Sequence, residues 1–358
     1  MAKDPRVEAA IAHWAPRFVA NGVPLADFQD VTASCERWED WCSQWSARAA
    51  VHEELGAQAL ARGETLSAGG HYTRAAVCYH FGKFLFVIDP AQMKRAHMKA
   101  VECRNKVLPH LRPPGERVAI PYEGRPLYAN LRKPAGIARA PVVVMCMGLD
   151  SAKEEMDDYE NRFLARGLAT LAFDGPGQGE AEYDFALCPE YERPVKAVID
   201  WLEARSDIDP GRLGIWGVSL GGYYAPRAAA FERRIKACVA LSGPYARSAS
   251  FEGRPSINAE TFRVRAKCAT LEEAGKVALR ISLEGVAKNI TCPIYIVAGT
   301  KDRLTPHTEA ERLAAEVSGP CVLSVIEGGN HVVNNLWYRY RDQTADWMAQ
   351  QLIPASPP

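Results

Sequence analysis

From residue 117 onward the chain repeats one pattern, a short apolar run followed by a longer helical stretch, and nothing else in the sequence narrows its fold as much. The runs are RVAIPY (117–122), PLYANLR (126–132), PVVVMCM (141–147), LATLAFDG (168–175), RLGIWG (212–217), KACVALSG (236–243), PIYIVAGT (293–300) and CVLSVIEG (321–328). Helical stretches are expected between them near 152–166, 189–206, 220–232 and 308–317, with a last one near 336–352. Ser151 with Glu154, and Thr270 with Glu273, have the capping-box spacing expected to open helices. Strands that are apolar along their whole length are buried on both faces, which a parallel sheet covered by helices provides. The expected fold is therefore α/β: a mostly parallel, roughly eight-stranded sheet with helices on both faces. In such sheets ligands bind beyond the carboxyl ends of the strands.

Residues 1 to about 111 contain no convincing strand. CERWEDWCSQWSARAAVHEELGAQALARG (35–63) and HYTRAAVCYHFGKFLFVI (71–88) are expected helices, separated by Gly63 and the SAGG at 67–70. Trp38, Trp41, Trp45 and Ala49 recur at helical spacing and are expected on a buried face. LRPPGER (111–117) is the Pro/Gly boundary between this helical half and the sheet.

The five residues GVSLG (217–221) sit where the run RLGIWG ends. A serine flanked by glycines between a buried strand and a helix fits a nucleophile elbow, a strained turn that pushes the hydroxyl out above the sheet. A serine hydroxyl is a weak nucleophile, so it needs a base, and the base needs an orienting acid. In this fold they follow in the order Ser, Asp, His, each just past a later strand. Asp302 lies two residues past Thr300, and His331 three past Gly328. The expected triad is Ser219, Asp302 and His331. His307 is a rival base, but it follows Pro306 at the expected start of a helix. A tetrahedral intermediate needs two backbone donors; Leu220, after the serine, and Leu149, in MCMGLDSAKEE (145–155), are the candidates. FDGPGQGE (173–180) is rich in glycine, yet it lacks the spacing and the lysine of a phosphate cradle. Its Asp174 and Glu180 read as turn and packing residues.

Charge and cysteine usage exclude several other classes. Lys plus Arg and Asp plus Glu both number 43, so no net field attracts nucleic acid or an anionic membrane, and neither is expected as a partner. The first residues carry charges at Lys3, Asp4, Arg6 and Glu8 where a signal peptide has its apolar core, and the longest apolar runs are strand-length. The ten cysteines form no C-x-x-C pair; free, mostly buried thiols in a reducing cytoplasm are expected, with no metal site and no cofactor.

Elbow, oxyanion loop and Ser…Asp…His order together resemble the α/β-hydrolase superfamily over residues 117–352. More narrowly, GLDSAKEE, FDGPGQGE and SLGG, joined to a helical N-terminal region, resemble the 2,6-dihydroxypseudooxynicotine hydrolase family and related esterases. That resemblance implies cleavage of a carbon–carbon bond beside a ketone in a small molecule. It also implies a helical cap or dimerisation domain (1–111), a catalytic domain (112–358) with a lid insertion near 246–290, and a homodimer. It further implies an acidic side chain after the sixth strand, for which Glu252 is the candidate as a substrate-binding or polarising group. Ordinary ester or amide hydrolysis by the same triad is the alternative. A non-catalytic binding protein on this fold is the third reading, and such a protein is expected to have lost a triad member.

Overall fold

The computed structural model describes residues 3–247 and 256–353. They form two compact units: Met1–Arg117 with Glu154–Asp158 and Ser256–Thr261, and Val118–Lys153 with Tyr159–Pro255 and Phe262–Pro358.

The first unit is helical, with α1 (Pro5–Ala20), α2 (Leu25–Ser34), α3 (Trp41–Ala61), α4 (Thr65–Lys83) and α5 (Pro90–Val107). Asp4 and Asp89 cap α1 and α5 ahead of a proline in the first turn, the arrangement that satisfies free N–H groups without wasting one. Trp38, Trp41, Trp45 and Ala49 are all buried. They gather with Phe18, which stacks on Phe81 with ring centroids 3.8 Å apart, and Trp41 Nε1 donates to the Phe81 carbonyl. The SAGG at 67–70 does not separate two helices as expected; it lies inside α4. Gly63, at φ 75°, makes the break instead, while Ala68 and Gly69 are buried in α4, where a Cβ on Gly69 would rest in ordinary contact with Val107 of α5 at 3.6 Å. Small residues at a helix contact serve packing, and tertiary burial outweighs their poor helix propensity.

The same unit holds a buried ion cluster. Glu155 Oε1 accepts from Arg17 Nε at 2.7 Å and Asn21 Nδ2 at 2.6 Å; Oε2 bonds Arg17 Nη2 at 2.7 Å and His80 Nε2 at 3.0 Å. Burial pushes the Glu155 carboxyl up, but the Arg17 charge and hydrogen bonds and those of His80 hold it well below the ordinary range. These contacts explain a second departure from expectation. Ser151 and Glu154 do not open a helix: a 3₁₀ turn spans Lys153–Glu155, and the helix α6 starts later, at Asp157–Leu164. Capping is local, whereas Glu155 is held by Arg17, 138 positions away in sequence, and by Asn21 and His80, also far along the chain.

The second unit is built on one eight-stranded sheet: β1 (Gly115–Tyr122), β2 (Arg125–Arg132), β3 (Ala140–Cys146), β4 (Ala169–Phe173), β5 (Ile208–Val218), β6 (Ile235–Leu241), β7 (Ile294–Gly299) and β8 (Cys321–Ile326). Their order is β1-β2-β4-β3-β5-β6-β7-β8. Only the β2–β4 pairing among the registered ones is antiparallel; β3 through β8 run parallel. The remaining helices are α7 (Glu192–Glu203), α8 (Gly221–Phe231), α9 (Ile257–Arg265), α10 (Leu271–Ala278), α11 (His307–Glu316) and α12 (Arg341–Leu352). In α7, Val195, Val198, Ile199 and Leu202 form one buried stripe at helical spacing. Thr270 caps α10, accepting the Glu273 N–H at 3.2 Å as its spacing suggests. Around β5 a Cβ on Gly217 would strike α8, and one on Gly214 would strike Met348 of α12. Three residues apart on a strand means opposite faces, so helices cover both sides. No described helix is long and apolar enough to cross a membrane.

Candidate active site

β5 delivers its last residue, Val218, to a turn that a side chain on either neighbouring glycine would block. A Cβ on Gly217 would sit 1.9 Å from the Gly221 carbonyl oxygen, and one on Gly221 would sit 2.2 Å from that of Cys146. With both glycines bare, the chain reverses within two residues and Ser219 adopts φ 56°, the left-handed region that a non-glycine residue enters only at a cost. The turn is tied down on both sides. The Ser219 N–H donates to the Leu241 carbonyl at 2.8 Å, and its carbonyl accepts from Gly222 N–H at 2.7 Å.

The side chain of His331, just past β8, meets the serine there. His331 Nε2 lies 2.8 Å from Ser219 Oγ, and Nδ1 lies 2.8 Å from Asp302 Oδ2. Asp302 follows β7. Its other oxygen, Oδ1, accepts the N–H groups of Leu304 and Thr305, both at 2.9 Å. Burial pushes this carboxyl up, yet the neighbouring His331, its hydrogen bond and the two backbone donors hold it below the ordinary range. The three residues expected from chain order thus form one continuous hydrogen-bonded line. His307 is not part of it: at the start of α11 its Nε2 faces Glu311 at 3.9 Å.

Leu220 follows Ser219 directly and stands at the N-cap of α8. The loop after β3, carrying Leu149, passes tightly against the serine: a Cβ on Gly148 would lie 3.2 Å from Ser219 Cβ and 3.1 Å from the Val218 carbonyl. Leu220 is thus the residue after the serine, and Leu149 follows the glycine that passes against it. Glu252 lies outside the described residues.

Several residues that sequence reasoning missed hold these parts in place. The Ser242 hydroxyl accepts the Val332 N–H at 3.1 Å. This fastens a turn in which Val332 and Val333 stand at φ 59° and 53°, strained positions for β-branched residues. The His331 carbonyl accepts from Asn334 Nδ2 at 3.2 Å, and Asn334 Oδ1 accepts from buried Arg341 at 3.2 Å. Behind the β3 loop, Gln178 Nε2 donates to the carbonyls of Met147 and Gly148 at 2.5 and 2.8 Å. Tyr191 in turn donates its hydroxyl to Gln178 Oε1 at 2.5 Å. In the same glycine-rich loop, Asp174 and Glu180 accept from Lys153 Nζ at 2.7 and 2.6 Å. A single Gln among the glycines of GPGQGE was the only signal for this in the sequence. All ten cysteines are free thiols, six of them buried.

Comparison with known proteins follows the same lines. The model of the family "Esterase FrsA-like" matches residues 26–353. The chain is 33% identical over 351 residues to 2,6-dihydropseudooxynicotine hydrolase of Paenarthrobacter nicotinovorans, covering 97% of this chain and 93% of that one. A crystal structure of 2,6-dihydroxy-pseudo-oxynicotine hydrolase superposes with a TM-score of 0.87 at 32% identity, over 95% of this chain and 96% of that chain. A hydrolyase of Aspergillus clavatus is 31% identical over 232 residues, 58% of this chain and 53% of the fungal protein, so the chain spans about half of that relative.

Proposed function

The chain belongs to the FrsA-like esterase family and is an α/β-hydrolase-fold enzyme; on that premise we propose that it hydrolyses a small carbonyl compound through an acyl-enzyme on Ser219. The observation that carries this is the unbroken line from Ser219 Oγ through His331 to Asp302, both links 2.8 Å long, at a serine held at φ 56°. Ser219 Oγ attacks the substrate carbonyl carbon while His331 Nε2 takes the hydroxyl proton, and Asp302 holds the imidazole by its Nδ1–H. The oxyanion is received by the N–H groups of Leu149 and Leu220. As the tetrahedral adduct collapses, His331 returns the proton to the departing group. A water molecule, deprotonated by the same histidine, then releases the acyl group as a carboxylic acid.

The bond broken is the finer part of the proposal. In our first reading the departing group is carbon: an enolate leaves from a ketonic or β-dicarbonyl substrate and is protonated by His331. The full-length similarity to the Paenarthrobacter enzyme and the motifs GLDSAKEE and FDGPGQGE support it. Glu252 is then the acid that steadies the keto form. The second reading, ester or amide hydrolysis, is favoured by the family's description as esterases and uses the same steps with an alkoxide or amine leaving. A homodimer in the cytoplasm completes the proposal. One product analysis separates the readings: the protein is incubated with benzoylacetone and, separately, with p-nitrophenyl acetate, and Ser219→Ala is the control. Release of a carboxylate and a methyl ketone from the diketone supports carbon–carbon cleavage. Turnover of the ester alone overturns that reading in favour of an esterase, and turnover of neither overturns both.

A further inference from the structure

In the loop FDGPGQGE the glutamine side chain is wholly enclosed, and every polar atom of that side chain is engaged. Gln178 is 1% exposed. Its amide nitrogen carries two N–H groups, and the two carbonyls it meets belong to consecutive residues, Met147 and Gly148, at 2.5 and 2.8 Å. Its oxygen accepts the Tyr191 hydroxyl at 2.5 Å. This last bond fixes which way round the amide sits, because an oxygen turned toward the two carbonyls would face two acceptors. Burial pushes the Tyr191 hydroxyl well above its ordinary value, so it remains a donor. The loop is shaped around this contact. A Cβ on Gly175 would lie 2.0 Å from the Tyr191 hydroxyl oxygen, and one on Gly179 would lie 2.0 Å from the Asp174 carboxyl carbon.

What Gln178 grips is the backbone of the segment that runs against Ser219. In a trans peptide the carbonyl of one residue and the N–H of the next point in opposite directions. Drawing the Met147 and Gly148 carbonyls toward Gln178 therefore turns the N–H groups of Gly148 and Leu149 away from it. A hydrogen bond at a peptide oxygen also polarises the N–H of the same peptide and makes it a better donor. Building on the acyl-enzyme reading above, we propose that Gln178, oriented by Tyr191, is a positioning residue that sets the direction of the oxyanion-hole donors in the loop after β3. It touches no substrate. Its effect is to fix backbone dipoles before the reaction, which is how an oxyanion hole lowers a barrier without having to reorganise.

The test uses the full-length protein and Gln178→Met, a side chain of similar length with no N–H. We expect kcat for p-nitrophenyl acetate to fall by about 10²-fold, the size of the loss when one oxyanion donor is removed, with KM kept within about twofold. Affinity for an aryl boronic acid, which forms a tetrahedral adduct on the serine, should fall by a similar factor. A folded Gln178→Met protein with kcat within about threefold of wild type, or with its loss confined to KM, overturns the proposal. If that variant does not fold, Gln178→Glu replaces it, with the same length and the Tyr191 contact but without the pair of N–H donors. The same split between kcat and KM is expected there, and wild-type kcat would again overturn the proposal. Wild-type protein that neither turns over the ester nor reacts with a fluorophosphonate fails the acyl-enzyme reading itself, a result distinct from either variant's.

Discussion

Asp302→Asn is the substitution whose outcome the geometry fixes most tightly. An asparagine there has one oxygen and one NH₂ group to place in two positions that both hold oxygens in the native side chain. The Oδ1 position faces two donors, the N–H groups of Leu304 and Thr305 at 2.9 Å. An NH₂ there would leave both of those N–H groups opposite a donor, each costing on the order of 1–3 kcal/mol when buried. The amide oxygen therefore takes that position, and the NH₂ group is forced into the Oδ2 position, 2.8 Å from His331 Nδ1. His331 must then accept at Nδ1 and carry its proton on Nε2, the nitrogen that faces Ser219 Oγ at 2.8 Å. It can no longer take the serine proton. A triad locked in the wrong tautomer loses about 10⁴-fold in kcat, roughly 5.5 kcal/mol of barrier. The assay is kcat and KM for p-nitrophenyl acetate between pH 6 and 9, with circular dichroism confirming the fold. Because the Asp302 carboxyl is held below its ordinary range, its stabilising effect is complete above the unfolded-state value near 3.9 and is lost only as pH falls through the lower folded value. The wild type's acid limb in that assay therefore does not belong to Asp302. A folded Asp302→Asn protein within tenfold of wild-type kcat would refute the tautomer reasoning.

Glu155→Ala removes the buried carboxylate that Arg17, Asn21 and His80 share. It should destabilise the helical unit by about 3–5 kcal/mol and lower its unfolding temperature by about 10 °C or more, followed by tryptophan fluorescence. The Glu155 carboxyl is depressed, so this stabilisation is complete above the unfolded value near pH 4.3 and disappears as pH falls toward the folded one; the wild-type and variant melting curves should converge only in strong acid. Deleting residues 1–111 removes Arg17, Asn21 and His80 together and strands the Glu155 carboxylate, so the 112–358 fragment should be insoluble or inactive in a solubility and ester-turnover assay.

What could be read from the sequence was what depends on local pattern and chain order. A run such as PVVVMCM is apolar throughout because its strand is buried on both faces, so the sheet was legible, although the equally apolar CVLSVI of β8 is largely exposed. Ser219, Asp302 and His331 were legible because the fold dictates where each must follow a strand. The parts that escaped notice act through space. Gln178 gains meaning only once residues 147 and 148, some thirty positions earlier, lie beside it. Ser242 supports the His331 turn across ninety positions. The SAGG inside α4 and the Ser151–Glu154 spacing were misleading for the same reason: glycine's weak propensity and a capping pattern are local preferences, and the burial of α4 at Ala68 and Gly69 and the Arg17–Glu155 pair outweigh them.

The central claim is that Ser219 is a nucleophile activated by His331, and covalent labelling tests it directly. The full-length protein is treated with a fluorophosphonate and digested, and the modified peptide is sequenced by mass spectrometry. A single phosphonate on Ser219, absent from Ser219→Ala and strongly slowed in His331→Ala, is the predicted result. Labelling that persists in Ser219→Ala, or no labelling of the wild-type protein, would contradict the account.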